Sequence, residues 1–143
     1  MNVKMVVGVD GSEDAGRALR WCANYAKALD AEVIAVHAID MPILVSPMTT
    51  AIPVPQFSEV DLEHLRKVVT EDWCEPLAKA EVSFRVVLME TDPALAIMQT
   101  AKTEKADLVV TGRRGRGGFA ELVLGSTTYA LTHHLNRPLV IIP

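Results

Sequence analysis

Five short apolar runs constrain the fold more than any other feature of the sequence; they lie at residues 3–9, 32–39, 84–89, 108–110 and 139–142. The runs are continuous, without alternation of apolar and polar residues, which is typical of strands buried on both faces of a parallel sheet. Helix-length segments separate them, and such strands form β-α-β units with right-handed crossovers. The sequence therefore predicts an α/β fold, a three-layer α/β/α sandwich on a five-stranded parallel sheet, in a single domain over residues 1–143.

Capping residues mark where the helices begin. Ser12 precedes the acidic pair Glu13 and Asp14, whose charges suit the first turn of a helix. Asp92 before Pro93 has the same role later in the chain, and a further helix is predicted over residues 127–135. Helical spacing places seven apolar residues on one face of the first helix: Ala15, Ala18, Leu19, Cys22, Ala23, Ala26 and Leu29.

The middle of the chain combines a long helix with a proline-rich segment. The helix is predicted over residues 59–79, and Pro76 should end or kink it. Its predicted packing face comprises Val60, Leu62, Leu65, Val68, Val69 and Trp73. Residues 40–58 before it hold four of the eight prolines. Because loops this long are usually functional or disordered, we expect residues 41–57 to cover a ligand or contact a subunit, with disorder as the alternative.

Composition excludes several classes of function. A net charge of −4 and an aromatic content of 5% argue against nucleic acid as the main partner. No apolar run approaches the roughly 20 residues that span a bilayer, and the N-terminus lacks the pattern of a signal peptide. Cys22 and Cys74 lack the spacing of a metal or redox motif, so they are predicted to be buried thiols. We therefore expect a cytoplasmic protein with no membrane contact.

Two segments of unusual composition follow predicted strands, at the sheet edge where parallel α/β folds bind ligands. One is Asp10-Gly11-Ser12, and the other runs from Thr111 to Gly118 with four glycines and three arginines. Glycines let backbone N–H groups form a concavity for an anion, and the helix that opens at 125–127 would direct its N-terminus to the same place. Asp10 could accept from a ribose hydroxyl or hold Mg²⁺ near phosphates. The competing interpretation is an ordinary glycine-rich turn with solvated arginines and Ser126 as a helix cap, since neither a Walker A loop nor a G-x-G-x-x-G is present.

The spacing of the glycines favours a ligand. Gly112, two residues, Gly115, nine residues and then Gly125-Ser126 resemble the G-x2-G-x9-G-[S/T] pattern of ATP-binding universal stress proteins. The resemblance extends over the whole chain, through VVGVDGS, AVHA, TDPA, ADLVVTG and RPLVIIP. It implies the adenine nucleotide alpha hydrolase-like fold with sheet order 3-2-1-4-5, and a homodimer joined through the last strand, residues 139–142.

The resemblance also assigns roles to residues of this chain. Gly8 and Asp10 would line the adenosine side, and the Ala38 backbone would meet the adenine. Ribose and phosphates would be held by four residues, Gly112, Arg113, Gly115 and Arg116, and the far phosphates by Gly125, Ser126 and Thr127. The sequence departs from the family pattern at Thr91, where glycine is frequent, and at Thr127, where valine is common.

The prediction is thus an ATP-binding regulatory protein of the stress response that acts as a dimer, with no catalytic residue identified. His37 is interpreted as a core histidine, and His133 and His134 as cations at a helix C-terminus. Three alternatives remain at the sequence level. They are a slow ATPase or an enzyme that phosphorylates itself near Ser126, a binder of AMP or cyclic AMP, and a partner-binding module that works through residues 41–55.

Overall fold

The computed structural model describes residues 2–39, 57–115 and 123–143, together with the backbone of residues 43–44 and 52–53. In chain order its strands are β1 (Val3–Gly8), β2 (Ala31–Ala38), β3 (Ile43–Leu44), β4 (Ile52–Pro53), β5 (Phe84–Met89), β6 (Leu108–Gly112) and β7 (Leu139–Ile142). Its α-helices are α1 (Glu13–Ala26), α2 (Glu59–Val68), α3 (Glu75–Lys79), α4 (Pro93–Thr103) and α5 (Ser126–His134). A π-helical turn, Val69–Trp73, separates α2 from α3.

Five of the strands form one parallel sheet in the order β5-β2-β1-β6-β7. When only these five strands are numbered, this is the order 3-2-1-4-5 that the family resemblance implies, and it confirms the predicted fold. Strands β3 and β4 pair with each other antiparallel, within the proline-rich segment. The predicted roles of residues 41–57 as a cover, a subunit contact or a disordered loop otherwise fall outside the described residues.

Two hydrophobic clusters lie on opposite faces of the sheet and define the three layers. Met5 and Val7 of β1 belong to the cluster that contains α1 and α3. Val6, between them, points to the other face and packs with α4 and α5. Because helices cover both faces of β1, side chains that point to either face are apolar, and the strand sequence is a continuous apolar run.

Helix α1 begins and packs as its sequence predicts. The Ser12 hydroxyl accepts a hydrogen bond from the Ala15 N–H at 3.2 Å, and the six stripe residues from Ala15 to Ala26 are buried. The seventh member, Leu29, was predicted wrongly, because it lies beyond the end of the helix and is 46% exposed. Asp92 caps α4 through the Leu95 N–H at 3.1 Å, also as predicted.

The long helix predicted over residues 59–79 is divided in the structure. Its hydrogen-bond pattern widens at the π-helical turn, where the Cys74 N–H donates to the Val69 carbonyl at 2.9 Å. The interruption falls at Cys74, two residues before Pro76, so the expected break is present. The predicted packing face is only partly correct: α2 contains no fully buried residue, and Val60 is 75% exposed.

Both cysteines are free and buried, as predicted. Burial raises the pKa of Cys22 and of Cys74 to about 12, so both thiols stay protonated at neutral pH. Across the described part of the chain, the helices are too short or too polar to cross a bilayer.

Candidate functional site

A cavity of about 500 Å³ opens at the carboxyl ends of the strands. It lies where the winding of the sheet reverses, because the chain moves from β1 outward to β2 and from β6 outward to β7. Ligands of open α/β sheets bind at such a point. Eight of the residues predicted for the site line the cavity: Gly8, Asp10, Ala38, Gly112, Gly115, Gly125, Ser126 and Thr127.

The structure describes one of the two arginines predicted for the site. Arg113 does not line the cavity; its backbone N–H donates to the Ile142 carbonyl at 2.8 Å, and its Nε is buried with no hydrogen-bond partner among the described residues. Arg114, the next residue, does line the cavity. Arg116 lies outside the described residues.

The end of β6 packs closely against α1 and is hydrogen-bonded to α5. A Cβ at Gly112 would lie 2.7 Å from the backbone carbonyl of Asp14, so only glycine lets the strand approach the helix this closely. The Gly112 carbonyl accepts from the buried hydroxyls of Thr128 at 2.8 Å and Thr111 at 3.1 Å. The Asp14 carboxylate in turn accepts from the Arg114 N–H at 2.9 Å. These contacts fix the direction in which the glycine-rich segment leaves the sheet.

The two remaining glycines of the spacing also sit at close contacts. A Cβ at Gly115 would lie 2.5 Å from Oδ2 of Asp10, whose Oδ1 already accepts from the Ser12 N–H at 2.9 Å. A Cβ at Gly125 would lie 3.1 Å from the Cα of Arg114. The three glycines thus bring the segments after β1 and β6 and the start of α5 to backbone distance of one another.

The N-terminus of α5 faces this cavity. Gly125 is its cap residue, and no side chain of the described residues caps the first turn. Ser126 is therefore the first helical residue. The competing interpretation, in which Ser126 is the helix cap, is wrong. Because the first-turn N–H groups of a helix lack intrahelical partners and carry partial positive charge, this end of the cavity suits an anion.

The opposite end of the cavity is apolar and lies at the end of β2. Val36 and Ala38 of β2 and Ile39 directly after it line this end, together with Ile97 of α4. A Cβ at Gly8 would come within 2.6 Å of the Cδ1 of Ile97, so a side chain here would have to displace Ile97 at the cavity wall. The cavity thus combines an apolar pocket with a glycine- and N–H-rich end, an arrangement that suits a molecule with a flat apolar part and a charged tail.

Several lining residues were not identified from the sequence. His37 was interpreted as a core residue, yet it is half-buried and lines the cavity. The sequence predicts Trp73 on a packing face of the long helix and gives no indication for Thr128. Only His37 has a sequence signal, because it is next to Ala38 near the end of β2.

In the parts of the chain that the structure describes, no group of three or more His, Cys, Asp or Glu side chains is placed to hold an ion. Among the described residues, Asp10 is the carboxylate that lines the cavity, and its Oδ1 accepts from the Ser12 N–H. An ion held at Asp10 would need its other ligands from phosphates and water.

Comparison with known proteins agrees with this geometry. The sequence profile of the universal stress protein family matches residues 1–143. The chain belongs to the universal stress protein family. A universal stress protein of Methanocaldococcus jannaschii is 30% identical over 146 residues, covering 97% of this chain and 81% of the relative. Universal stress protein YxiE of Bacillus subtilis is 29% identical and covers 97% of both.

Solved structures share the fold of this universal stress protein. One from Archaeoglobus fulgidus in complex with dAMP has a TM-score of 0.72 at 19% identity and covers 99% of this chain and 98% of that one. A universal stress protein in complex with cAMP has a TM-score of 0.71 at 21% identity, covering 99% and 96%. An Arabidopsis thaliana family member with AMP bound has a TM-score of 0.65 at 19% identity, covering 98% and 90%.

Proposed function

We propose that this universal stress protein binds an adenine nucleotide, ATP in particular, in the cavity between β1, β2 and β6. The observation that carries the proposal is the convergence of Gly112, Gly115 and Gly125 on one anion-accepting end of the cavity, each at a contact that a side chain would disturb. The complexes of related structures with dAMP, cAMP and AMP support the same class of ligand.

In this proposal the phosphates lie at the glycines and the N-terminus of α5. Backbone N–H groups at Gly115, Ser126 and Thr127 would donate to phosphate oxygens, and Arg116 would add positive charge. Arg113 would act through its backbone, since its carbonyl accepts from the Gly125 N–H at 2.9 Å and so holds the turn together. Asp10 would accept from the ribose or hold Mg²⁺ together with the phosphates, with the base lying near Gly8 and the Ala38 backbone.

We further propose that nucleotide occupancy regulates a homodimer formed through β7. This strand is at the edge of the sheet, and all four of its residues are half-buried and apolar. The Arg113 N–H donates to the Ile142 carbonyl at 2.8 Å, so the glycine-rich segment is bonded directly to the proposed interface strand. A change in that segment on nucleotide binding would therefore reach β7 over one hydrogen bond.

Isothermal titration of the purified protein tests the proposal. Mg·ATP, AMP and cyclic AMP are titrated separately, and saturable binding of at least one is expected, with ATP the tightest if α5 and the glycines hold a triphosphate. Absence of heat and of thermal stabilisation at millimolar concentrations of all three would reject nucleotide binding. A tighter site for AMP or cyclic AMP would keep the site but reject ATP as its ligand. Mass spectrometry of small molecules released from the denatured protein gives an independent answer.

A further inference from the structure

Trp73 occupies an unusual position in the chain. It is the last residue of the π-helical turn, and it lines the cavity from the side of the sheet that α1 and α3 cover. Single π-helical turns are rare and are often found at functional sites. Here Val69, the first residue of the turn, and Cys74, the residue after it, are fully buried, whereas α2 before them has no buried residue. The turn is thus anchored firmly and holds the indole at the cavity wall.

His37, in β2, packs against the Trp73 indole. The two rings meet edge to face, with centroids 4.9 Å apart and an interplanar angle of 88°. The His37 Nδ1 lies 2.8 Å from the Val9 carbonyl oxygen. Because a carbonyl only accepts hydrogen bonds, Nδ1 carries the proton and the imidazole is fixed to the backbone after β1. The aromatic pair is therefore supported by β1, β2 and the π-helical turn.

The location of this pair distinguishes it from the phosphate end. His37 precedes Ala38 in β2, so their side chains point to opposite faces of the sheet: His37 and Trp73 lie on the α1 side, and Ala38 and Ile97 lie on the α4 side. Both pairs line the cavity at the end of β2, and β2 and β6 lie on opposite sides of β1. An aromatic wall at the β2 end of the cavity can pack against the ring of a nucleobase, and aromatic contacts with bases are favourable and tolerant of base identity. Ribose and phosphates have no flat ring to use such a wall.

We infer that Trp73, held by His37, contacts the base of the bound nucleotide and determines the preference for a ligand that carries an aromatic base. This inference rests on the proposed nucleotide function, and it assigns the recognition of the base to a residue outside the glycine pattern.

Fluorescence provides the first test, since the chain contains two tryptophans, Trp21 and Trp73. Trp21 packs at 4.6 Å from Tyr25 on α1 and does not line the cavity. The Trp21→Phe variant leaves Trp73 as the sole indole. Its fluorescence is excited at wavelengths where adenine does not absorb. ATP should change its emission saturably, whereas inorganic tripolyphosphate at equal concentration should not. The matched Trp73→Phe variant, which keeps Trp21, should show no change with either ligand.

Affinity provides the second test. We expect Trp73→Leu to raise the Kd for ATP about tenfold, equivalent to about 1.4 kcal/mol, because the ring contact is lost. Trp73→Phe keeps a ring and should stay within about threefold of wild type. Thermal unfolding of each variant verifies that the fold is intact, and the emission test, which leaves Trp73 in place, decides the question if the leucine variant does not fold.

The outcomes separate this inference from the proposed function. If the wild-type protein binds no nucleotide, both are rejected. If ATP binds but the Trp73 emission does not respond, or responds equally to tripolyphosphate, the base contact is rejected and the nucleotide site stands. Equal Kd values for wild type and a folded Trp73→Leu variant would likewise overturn the base contact alone.

Discussion

At the scale of single residues, two glycines of the same motif have different neighbours, and their alanine substitutions should therefore fail in different ways. At Gly115 the added methyl group meets the carboxylate of Asp10, a side chain that lines the cavity. At Gly112 it meets the backbone of α1, which cannot rotate away. The first substitution should impair the site and the second the fold.

For Gly115→Ala we expect the Kd for ATP to rise at least about tenfold, because Asp10 must move into the space where the nucleotide binds. The free energy of unfolding should change by less than about 1 kcal/mol, since the residue is exposed. Titration calorimetry and urea unfolding measure the two quantities. Gly16→Ala in α1 is the matched control: its Cβ has 3.5 Å of room to Arg20, and helix propensity should make it neutral or stabilising by up to about 1 kcal/mol. Unchanged ATP affinity in Gly115→Ala would contradict the proposed phosphate site.

For Gly112→Ala we expect a loss of about 1–3 kcal/mol in the free energy of unfolding, because the new methyl group would overlap the Asp14 carbonyl at 2.7 Å and force β6 away from α1. Equilibrium unfolding in urea measures the change, and the midpoint should fall without a change in slope. A variant as stable as wild type would show that β6 and α1 can separate at no cost.

At the scale of elements, the sequence predicts what local chemistry determines. Ser12 and Asp92 cap their helices as predicted, because a cap needs only the three residues that follow it. The position of Trp73 was not predictable, since the π-helical turn that it ends has no propensity signature and is held by the burial of Val69 and Cys74. For the same reason Leu29 and Val60 were misassigned: helical periodicity does not show where a helix loses its neighbours.

In the candidate site, too, local features were predictable from the sequence and features that depend on distant residues were not. The glycine spacing predicted one end of the cavity because a side chain at each glycine would overlap a neighbouring segment. The other end depends on side chains from β2, α4 and the π-helical turn, which are distant in sequence and meet only through the sheet order. That order followed from family resemblance and not from the apolar pattern, which is compatible with several arrangements of five parallel strands.

A charged cluster connects four elements at the end of the sheet opposite the cavity and gives a prediction about pH. Arg85 of β5 pairs with Glu32 of β2 at 3.0 Å and with Glu104 at the end of α4, which also meets Lys4 of β1 at 3.5 Å. The Arg85 guanidinium, with a smaller contribution from Lys4, lowers the pKa of Glu104 below its usual value near 4.5. Folding thus favours the ionised carboxylate, so this contribution is complete above the unfolded pKa and is lost as pH falls through the lower, folded value.

Glu104→Gln should therefore reduce the free energy of unfolding by about 0.2–1 kcal/mol at pH 7, the range for solvent-accessible ion pairs. The difference from wild type should shrink as the pH is lowered below the unfolded pKa and vanish when Glu104 is protonated in both states. Urea unfolding at a series of pH values measures this. Glu63→Gln, an exposed position on α2, is the control and should parallel wild type throughout. A constant difference across the pH series would show that Glu104 acts through packing and not through charge.

At the scale of the whole molecule, the proposed dimer makes a prediction about β7. Val140 and Ile142 pack against one core cluster and Leu139 against the other, whereas Ile141 belongs to neither. A lysine at Ile141 would place a charge on the edge strand with little effect on the core, a common way to prevent strands from pairing. We expect wild type to show twice the mass of the 15.6 kDa chain by light scattering, and Ile141→Lys to show the mass of one.

The matched control is Val60→Lys, an equally drastic change at a residue that is 75% exposed on α2, next to the opposite edge of the sheet. It should remain dimeric. A monomeric wild type at micromolar concentration, or dimers in both variants, would place the interface elsewhere or remove it.

The two edges of the sheet differ in what they offer to another chain. At β5, the Arg66 guanidinium already donates to the Val86 carbonyl at 2.8 Å, so that acceptor is occupied within the chain. At β7, the half-buried strand is the other boundary of the sheet. If β7 pairs with β7 of a second copy across a two-fold axis, assembly stops at the dimer. If β7 of one copy paired with β5 of the next, assembly would continue as a filament. In the proposed dimer, one arginine on α2 would thus help to keep the assembly finite.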